Sequence, residues 1–228
     1  MEIDIDSLTK KLLQNDLQPH IPKDITEAII IKLVTKENTI PHKKYTESLT
    51  FVYQFLLELN PKYSTTQVIA IPTKPIYPLY KKVGMGGTFD RLHCGHYSLL
   101  QSGLFSSSSI FEIGISGDAL LVHKAGRDKI FTFEKRRNQL ENFVLKIQSV
   151  VPNVAKVSLC EIDTPAGTVT TDTALEAVVV SPETLSSLTQ VNVERVNSGM
   201  KSIEPIIIGL ICCGDAKVSS STIRNSEK

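Results

Sequence analysis

Three side chains that can bind or polarise a phosphate lie in one short segment of the chain. Thr88 provides a hydroxyl, and His93 and His96 provide two imidazoles. The preceding residues, Lys82 to Gly87, form a predicted buried strand that ends in glycines, and Gly95 to Phe105 form the predicted helix that follows. A turn from a strand into a helix exposes backbone N–H groups at the positive end of the helix dipole, where anions bind well. The sequence therefore predicts a phosphate site at this turn.

Two better-known phosphate motifs fit this segment poorly, and so does a zinc site. The glycines at positions 84, 86 and 87 do not reproduce the Gly-x-Gly-x-x-Gly spacing, and the chain contains no Gly-x4-Gly-Lys-Ser/Thr sequence. Zinc would need further ligands, and the four cysteines have no paired metal-binding spacing. A purely structural interpretation would make His93 a helix cap and His96 a buried core residue.

The composition limits the class of protein. The 228 residues are enough for one α/β domain and an extension, and the net charge of +1 gives no electrostatic argument for nucleic acid or an anionic membrane as a partner. The longest apolar run, Ile206 to Cys213, is far shorter than the roughly 20 residues that a membrane-spanning helix needs. The acidic start has no secretory or transit signal. With cysteines that we interpret as reduced thiols, these features predict a soluble, cytoplasmic protein.

Strand and helix patterns alternate from Lys81 onward. After the motif helix, the pattern predicts a loop over Ser106–Ser109. It then predicts helices that begin near Thr132 and span Pro182–Val196, and four further strands at Ile110–Ser116, Lys156–Ile162, Leu175–Val180 and Ile206–Cys212. This alternation is typical of an α/β fold with a Rossmann-like, doubly wound parallel sheet, here of about five strands. Ligands of such sheets bind at the carboxyl ends of the strands, where the phosphate turn is expected.

The first 76 residues carry no motif and are predicted to form a mainly helical extension of unknown role. Apolar residues recur at helical spacing at Tyr45, Leu49, Val52, Leu56 and Leu59. The pattern from Ile25 to Val34 fits a helix or a strand, and Gln67 to Ile71 is a short predicted strand. Prolines at positions 72, 75 and 78 then predict a linker, so we place a boundary between residues 1–76 and a second domain at 77–228.

Two more polar segments are candidates for phosphate binding. Lys135 to Arg137 place three basic side chains in the first turn of a predicted helix, where positive charge is unfavourable unless an anion lies nearby. A solvated surface is the alternative. Lys217 to Arg224 combine hydroxyls with an arginine directly after a predicted core strand, which favours a second phosphate-binding segment over a disordered tail.

Residues 81–224 resemble the eukaryotic phosphopantetheine adenylyltransferases, a branch of the nucleotidylyltransferase superfamily. The matching segments are Gly86-Gly-Thr-Phe-Asp-Arg-Leu-His-x-Gly-His96, Gly114-Ile-Ser-Gly-Asp-Ala-Leu-Leu-x-x-Lys124, Val179-Val-Ser-Pro-Glu-Thr184, Asn192-x-x-Arg195 and Lys217-Val-Ser-Ser-Ser-x-x-Arg224. Cytidylyltransferases share the histidine motif but usually end in Arg-Thr-x-Gly-Ile-Ser-Thr, which this chain lacks. The resemblance therefore favours the adenylyltransferase branch.

The resemblance implies a reaction and a set of site residues. ATP would donate its adenylyl group to 4′-phosphopantetheine, giving dephospho-coenzyme A and pyrophosphate, with Mg²⁺ held mainly by the ATP phosphates and other coenzyme A pathway enzymes as further partners. The implied catalytic residues are His96, His93, Thr88, Lys124 and Arg224, of which Thr88 and Lys124 would hold the attacking phosphate. The implied ATP contacts are Gly86, Gly87, Thr88, Phe89, His93, His96, Arg195, Ser220, Ser221, Thr222 and Arg224.

One loop departs from the family pattern, and two alternatives stay open. The family usually has Asp-Pro-Tyr-Gly-Pro-Ala where this chain has Asp163-Thr-Pro-Ala-Gly-Thr168, so the substrate contacts of that loop are undecided. A nucleotidylyltransferase for cytidine or flavin nucleotides is one alternative, and an inactive scaffold is the other. A scaffold is expected to lose Thr88, His96 or Arg224, all of which are present. Without a Walker A sequence, the chain is expected to lack dephospho-coenzyme A kinase activity.

Overall fold

The computed structural model describes residues 1–21 and 28–227 of the chain. Its first part contains β1 (Glu2–Asp4), α1 (Lys10–Asp16), β2 (Ile29–Val34), β3 (Ile40–Pro41), α2 (His42–Leu59), β4 (Val68–Pro72) and β5 (Ile76–Tyr77). The remainder contains β6 (Tyr80–Gly87), α3 (Cys94–Ser106), β7 (Ser107–Ser116), α4 (Phe133–Val150), β8 (Lys156–Ile162), β9 (Ala177–Val180), α5 (Leu185–Asn197), β10 (Glu204–Ile207), β11 (Cys212–Cys213), β12 (Ala216–Lys217) and α6 (Ser220–Ser226).

Five strands form the main sheet in the order β10-β9-β6-β7-β8, and all neighbouring pairs are parallel. The chain begins in the middle at β6, moves outward through β7 and β8, and returns to β9 and β10 on the other side of β6. This is the order of a doubly wound sheet, whose direction of winding reverses between β6 and β9. The predicted fold class is therefore confirmed, and the turn after β6 lies at the reversal point.

Side chains of alternate residues pack on opposite faces of this sheet. In β9, Ala177 and Val179 join the larger core with α3 and α4, whereas Val178 and Val180 join a second cluster with Leu188 of α5. All four residues of β9 are buried, as expected for a strand that is covered on both faces.

Helix α4 forms where its apolar spacing predicts it. Thr132 is its N-cap and accepts a hydrogen bond from the N–H of Lys135 at 3.3 Å. The residues that it buries against the sheet recur at helical spacing and include Leu140, Phe143, Val144 and Ile147.

Part of the second face is left open by the connection from β8 to β9. This connection contains only a 3₁₀ turn at Gly167–Thr170 in place of a crossover helix. Gly84, Gly86 and Gly114 lie on that face, with Gly86 and Gly114 paired in register, so the sheet presents little side-chain bulk there. A cavity remains between the sheet, the 3₁₀ turn and α5.

Two local predictions were wrong. The predicted loop over Ser106–Ser109 does not exist, because α3 runs to Ser106 and β7 begins at Ser107, where pairing with Tyr80 overrides the turn preference of serine. The predicted strand Ile206–Cys212 is shorter, since β10 ends at Ile207 and β11 pairs with β12 in a small hairpin. Residues 208–211 instead reach the candidate site described below.

The extension is an α/β layer and shares its core with the main sheet. Helical residues outnumber strand residues there, but β1, β2 and β4 form a three-stranded parallel sheet. Strand β4 confirms the short strand predicted at Gln67–Ile71, whereas β1 was not predicted. Of the ambiguous segment, residues 29–34 form β2 and residues 25–27 lie outside the described residues. One hydrophobic core runs from Ile3 to Val218, and Tyr45 meets Phe105 edge to face at 5.9 Å. The boundary at residue 76 stays a prediction.

Candidate active site

The turn after β6 is held in a constrained shape. Phe89 has a φ of 53°, in the left-handed region that residues other than glycine rarely adopt. A Cβ atom on Gly87 would lie 2.9 Å from the Phe89 ring, so this packing requires glycine. Arg136, fully buried in α4, donates to the carbonyls of Thr88 at 2.9 Å and Ser116 at 2.8 Å. The turn is therefore fastened to the ends of both β6 and β7.

The two histidines lie side by side at the start of α3. His93 is the N-cap, and its Nδ1 accepts a hydrogen bond from the N–H of Gly95 at 3.2 Å. The ring centroids of His93 and His96 are 4.0 Å apart. Burial, and then the charge of Lys217, lowers the pKa of His93 to about 4. A neutral His93 whose Nδ1 accepts must carry its proton on Nε2, which leaves an N–H donor.

His96 is also held neutral at physiological pH. Burial and then the neighbouring His93 lower its pKa well below the ordinary histidine value. Its Nδ1 is buried, with no hydrogen-bond partner among the described residues. Because buried polar atoms are normally paired, this nitrogen is a candidate for contact with a ligand or water.

Three cationic side chains lie close to the turn after β6, those of Lys124, Arg136 and Arg224. The ammonium of Lys124 donates to the hydroxyl of Thr88. Desolvation, and then the charges of Arg136 and Arg224, lower the pKa of Lys124. These cations repel one another, so the structure favours an anion beside them.

Asp90 joins the turn to the last helix. Its buried carboxylate accepts from the N–H of Phe131 at 2.8 Å, from Arg91 at 2.7 Å and from Arg224. Arg224 also donates to the carbonyl of Ala125 at 2.9 Å, and its Nε is buried without a partner among the described residues. The chain end thus closes over the histidine motif, as the sequence predicts, but two nitrogens of the arginine are already engaged.

The serines before and within α6 complete this closure. Ser219 is the N-cap of α6, and its hydroxyl lies 2.8 Å from that of Thr222. Ser220 donates to the carbonyl of Arg91 at 2.9 Å. Just before them, Lys217 pairs with Glu183.

These groups surround a cavity of about 440 Å³ at the carboxyl edge of the sheet. It is lined by both histidines and by residues from the turn after β6, the end of β9, the segment after β10 and the start of α6, and its polar lining includes Thr88, Lys124, Ser181, Lys217, Ser220, Ser221 and Arg224. Its apolar lining includes Ile208 and Leu210. A concave pocket in which several polar and charged groups converge beside apolar side chains is typical of a small-molecule site.

The open face of the sheet forms a second cavity, of about 670 Å³. Its walls come from β6, β7, β9, the 3₁₀ turn and α5, and the undecided loop contributes residues 165–168. Thr88 and Lys124 line both cavities, so the two cavities meet at the contact between these side chains.

The structure brings most of the predicted site residues together and separates four of them. Those that line the first cavity are Thr88, Phe89, His93, His96, Lys124, Ser220, Ser221 and Arg224. Gly86 and Gly87, predicted to contact ATP, line the second cavity instead. Thr222 is exposed and does not line the first cavity, because its hydroxyl meets the Ser219 cap.

Arg195 requires the largest correction. It was predicted as a phosphate ligand, but its buried guanidinium donates to the carbonyls of Val169, Asp172 and Lys201 at 2.6, 2.9 and 2.9 Å. It lines neither cavity. Its charge stabilises the 3₁₀ turn and the end of α5.

The three basic side chains at 135–137 have different contacts. Lys135 lies over the ring of Phe131, Arg136 donates to the carbonyl of Thr88 in the turn after β6, and Arg137 pairs with Glu141 at the surface. The segment 208–211 lines the cavity but was missed as part of the site, and Lys217, which lies in the predicted phosphate-binding segment 217–224, lines it without having been named as an ATP contact. Lys217 stands in the matched terminal segment, whereas the path of 208–211 has no sequence signal.

Metal-binding and membrane-spanning features are absent from residues 1–21 and 28–227. In those residues no group of three His, Cys, Asp or Glu side chains is arranged to hold a metal ion. No helix there is long and apolar enough to cross a bilayer.

A family model described as cytidylyltransferase-like matches residues 85–226. The chain belongs to this family, which agrees with the histidine motif and the doubly wound sheet. The match begins after the extension. Within the family, the chain belongs with the phosphopantetheine adenylyltransferases. That of Pyrococcus abyssi is 38% identical over 147 residues, which are 64% of this chain and 89% of the relative.

Two further relatives carry the same name. The phosphopantetheine adenylyltransferase of Pyrococcus horikoshii is 38% identical over 146 residues, covering 64% of this chain and 89% of the relative. That of Methanothermobacter thermautotrophicus is 32% identical over 149 residues, covering 65% and 85%. These relatives are archaeal, so the eukaryotic branch stays a prediction.

Proposed function

We propose that this protein transfers the adenylyl group of ATP to 4′-phosphopantetheine, giving dephospho-coenzyme A and pyrophosphate. The names of its relatives support the reaction type. The observation that carries the proposal is the junction of the two cavities at Thr88 and Lys124. ATP in the first cavity and an extended acceptor in the second would meet there, phosphate to phosphate, beside His96.

The transfer forms one P–O bond and breaks another. An oxygen of the acceptor phosphate attacks the α-phosphorus of ATP. The bond from that phosphorus to the bridging oxygen breaks, and its electron pair leaves with pyrophosphate. Repulsion between the anionic reactants is the main obstacle, so positioning and charge neutralisation can supply most of the catalysis without a covalent intermediate.

Thr88 and Lys124 hold the attacking phosphate in this proposal. They already contact each other at the junction, and Lys124 is crowded by Arg136 and Arg224. A phosphate beside the ammonium would relieve that repulsion and fix the attacking oxygen near the first cavity.

The histidines act on the α-phosphate. His96 donates a hydrogen bond to the oxygens on which charge grows, and His93 holds the adjacent phosphates through its Nε2–H. Both rings are neutral at physiological pH because their pKa values are lowered. They therefore serve as fixed donors without first having to lose or gain a proton.

The start of α6 binds the leaving pyrophosphate. Ser220, Ser221 and Lys217 supply hydroxyls and an ammonium at the cavity wall. Arg224 contributes its charge, but its bonds to Asp90 and Ala125 leave no free pair of nitrogens for a two-pronged phosphate contact. Its role in this conformation is therefore electrostatic, with Asp90 fixing its position.

Mg²⁺ enters with ATP. Asp90 is the one carboxylate among the described residues that line the first cavity, and it is engaged by two arginines and a backbone N–H. The other polar groups are cations, imidazoles and hydroxyls, so this donor set suits an ion carried by phosphate oxygens. When bound, the ion neutralises charge on the departing pyrophosphate.

Pyrophosphate release with defined substrates tests the proposal. Purified protein is incubated with Mg²⁺-ATP and, separately, with 4′-phosphopantetheine, flavin mononucleotide or no acceptor, and CTP replaces ATP in a parallel series. Release is expected with ATP and 4′-phosphopantetheine and should be lost in His96→Ala. Release only with flavin mononucleotide, or only from CTP, would overturn the proposal.

A further inference from the structure

The second cavity carries charges of opposite sign at its two ends. Among the described residues that line it, the charged ones are Lys124, Glu112 and Glu194. Lys124 stands at the junction with Thr88. Glu112 is in register with Gly84, which precedes Thr88 by four residues. At the rise of a strand, Glu112 lies about 13 Å from the junction, near the other end of the cavity.

Glu194 reaches the same end from the opposite wall. Helix α5 starts just after β9, with Thr184 as its N-cap, and runs back along the sheet. Thr184 and Glu194 both line the cavity and are ten residues apart, which is about 15 Å along a helix axis. Glu194 is exposed, so its carboxylate is free to face a ligand.

Glu112 is fixed in position by its neighbours. It accepts from the hydroxyl of Thr168 at 2.7 Å and from the ammonium of Lys82 at 2.8 Å. Lys82 also pairs with Asp172 at 2.5 Å, so one ammonium serves two carboxylates. Neither Lys82 nor the nearby Arg195 lines the cavity. The surface that a ligand meets at this end is therefore acidic.

We propose that Glu112 and Glu194 make the acceptor site select a molecule with a phosphate at one end and no negative charge at the other. The inference rests on the proposed function and adds a specificity rule to it. An arm that ends in amide and thiol groups can donate hydrogen bonds to Glu112. A carboxylate in the same place is repelled by both glutamates, and the described residues that line this end of the cavity include no cation.

Two acceptor analogues separate charge from size. Each is 4′-phosphopantetheine substituted on the carbon next to the last amide nitrogen, one with a carboxylate and the other with a carboxamide of nearly the same volume. The measured quantity is kcat/KM of adenylyl transfer for each analogue. The wild-type protein is expected to prefer the carboxamide by about a hundredfold, because the pairs with Glu112 and with Glu194 each contribute a factor on the order of ten.

Three variants assign that preference to residues. Glu112→Gln and Glu194→Gln remove the charge and keep the shape, and each is expected to lower the carboxamide-to-carboxylate ratio about tenfold. Glu141→Gln is the matched control, because it removes the same charge from a half-buried, salt-bridged residue outside the cavity. It should leave the ratio and the activity with 4′-phosphopantetheine unchanged. Glu194 is exposed, so its variant should fold normally even if loss of the Lys82 pair perturbs Glu112→Gln.

The outcomes distinguish this inference from the proposed function. No transfer to 4′-phosphopantetheine by the wild-type protein would refute the function itself. Transfer to 4′-phosphopantetheine with equal kcat/KM for the two analogues would refute only the selectivity. A wild-type preference that persists in both glutamate variants would also refute it, because the discrimination would then come from another part of the site.

Discussion

Asp90→Asn tests whether the charge network around the phosphate turn holds the site together. The Asp90 side chain is 2% exposed, and its carboxylate pairs with Arg91 at 2.7 Å and with Arg224. Asparagine keeps the shape and one acceptor oxygen but removes the charge. Its amide group would also point N–H donors at a guanidinium, so two arginines would lose their buried counter-charge.

The expected loss of stability is large for a single isosteric change. Removing one partner of a buried ion pair lowers the free energy of unfolding by about 3–5 kcal/mol. We expect a loss of about 3 kcal/mol for Asp90→Asn, because asparagine keeps one acceptor oxygen. In a chain of this size, 1 kcal/mol lowers Tm by roughly 2–4 °C, so Tm should fall by about 6–12 °C. Activity should fall as well, because Arg224 loses the group that positions it.

The effect has a defined pH dependence. Burial alone would raise the pKa of Asp90, but hydrogen bonds from Phe131, Arg91 and Arg224 lower it below the ordinary aspartate value. A carboxylate with a lowered folded-state pKa stabilises the protein above its unfolded pKa of about 3.9, and this stabilisation is lost as the pH falls through the folded-state value. The difference between wild type and variant should therefore be full at neutral pH and shrink below about pH 4.

Thermal unfolding followed by circular dichroism at several pH values measures this. Asp118→Asn is the control, because Asp118 is an exposed aspartate near the site but outside the network. If the Tm of Asp90→Asn at neutral pH lies within about 1 °C of the Tm of the wild type and of Asp118→Asn, the network adds no net stability. The closure of the chain end over the turn would then need another cause.

The remaining predictions concern single groups of the site. His96→Ala should lower the rate by about 10²–10³ while ATP affinity, measured by calorimetry, stays nearly unchanged, and a variant with a tenth of wild-type activity would exclude His96 from the transition state. His93 should titrate with a pKa of about 4 in an NMR experiment, and an ordinary value near 6.5 would contradict the buried, neutral ring. Lys124→Ala should raise KM for 4′-phosphopantetheine more than KM for ATP, and the reverse pattern would place the two phosphates on the opposite sides. Arg224→Lys should lower ATP affinity and the rates of both the forward and the reverse reaction, because lysine has one nitrogen in place of the two that bond separately to Asp90 and to Ala125, and it therefore does not hold the charge in the same position. Wild-type kinetics in both directions would exclude Arg224 from ATP binding and catalysis.

The parts of the site that the sequence predicted are those set by local spacing. Thr88, His93 and His96 fall between a strand and a helix, and a doubly wound sheet brings that turn to its ligand-binding edge whatever the rest of the chain does. The serine-arginine segment follows the last sheet strand, and the same topology returns it to the turn. These inferences need chain order and element type but no knowledge of side-chain packing.

The errors arose where a distant partner decides the outcome. Arg195 belongs to a matching segment, but its donors are taken by three backbone carbonyls whose positions depend on the 3₁₀ turn. Ser107 became a strand residue because β6 offers it a partner in Tyr80. The cavities themselves depend on an absent crossover helix and on glycines that face each other across two strands. Residue periodicity along a single strand predicts neither the absent helix nor the facing glycines.

The predicted boundary at residue 76 marks where the motifs begin, but the packing does not divide there. Gln101 in α3 accepts from the N–H of Ala70 at 2.8 Å and donates to the carbonyl of Val68 at 2.8 Å. The Gln101 side chain therefore makes hydrogen bonds to the edge of β4 that a further strand would otherwise make. The same helix begins at the two histidines, and Tyr45 of α2 adds a bond to the carbonyl of Ala70 at 2.8 Å. The far end of the histidine helix is therefore built into the sheet of the extension, so the extension contributes to the rigidity on which a preorganised site depends.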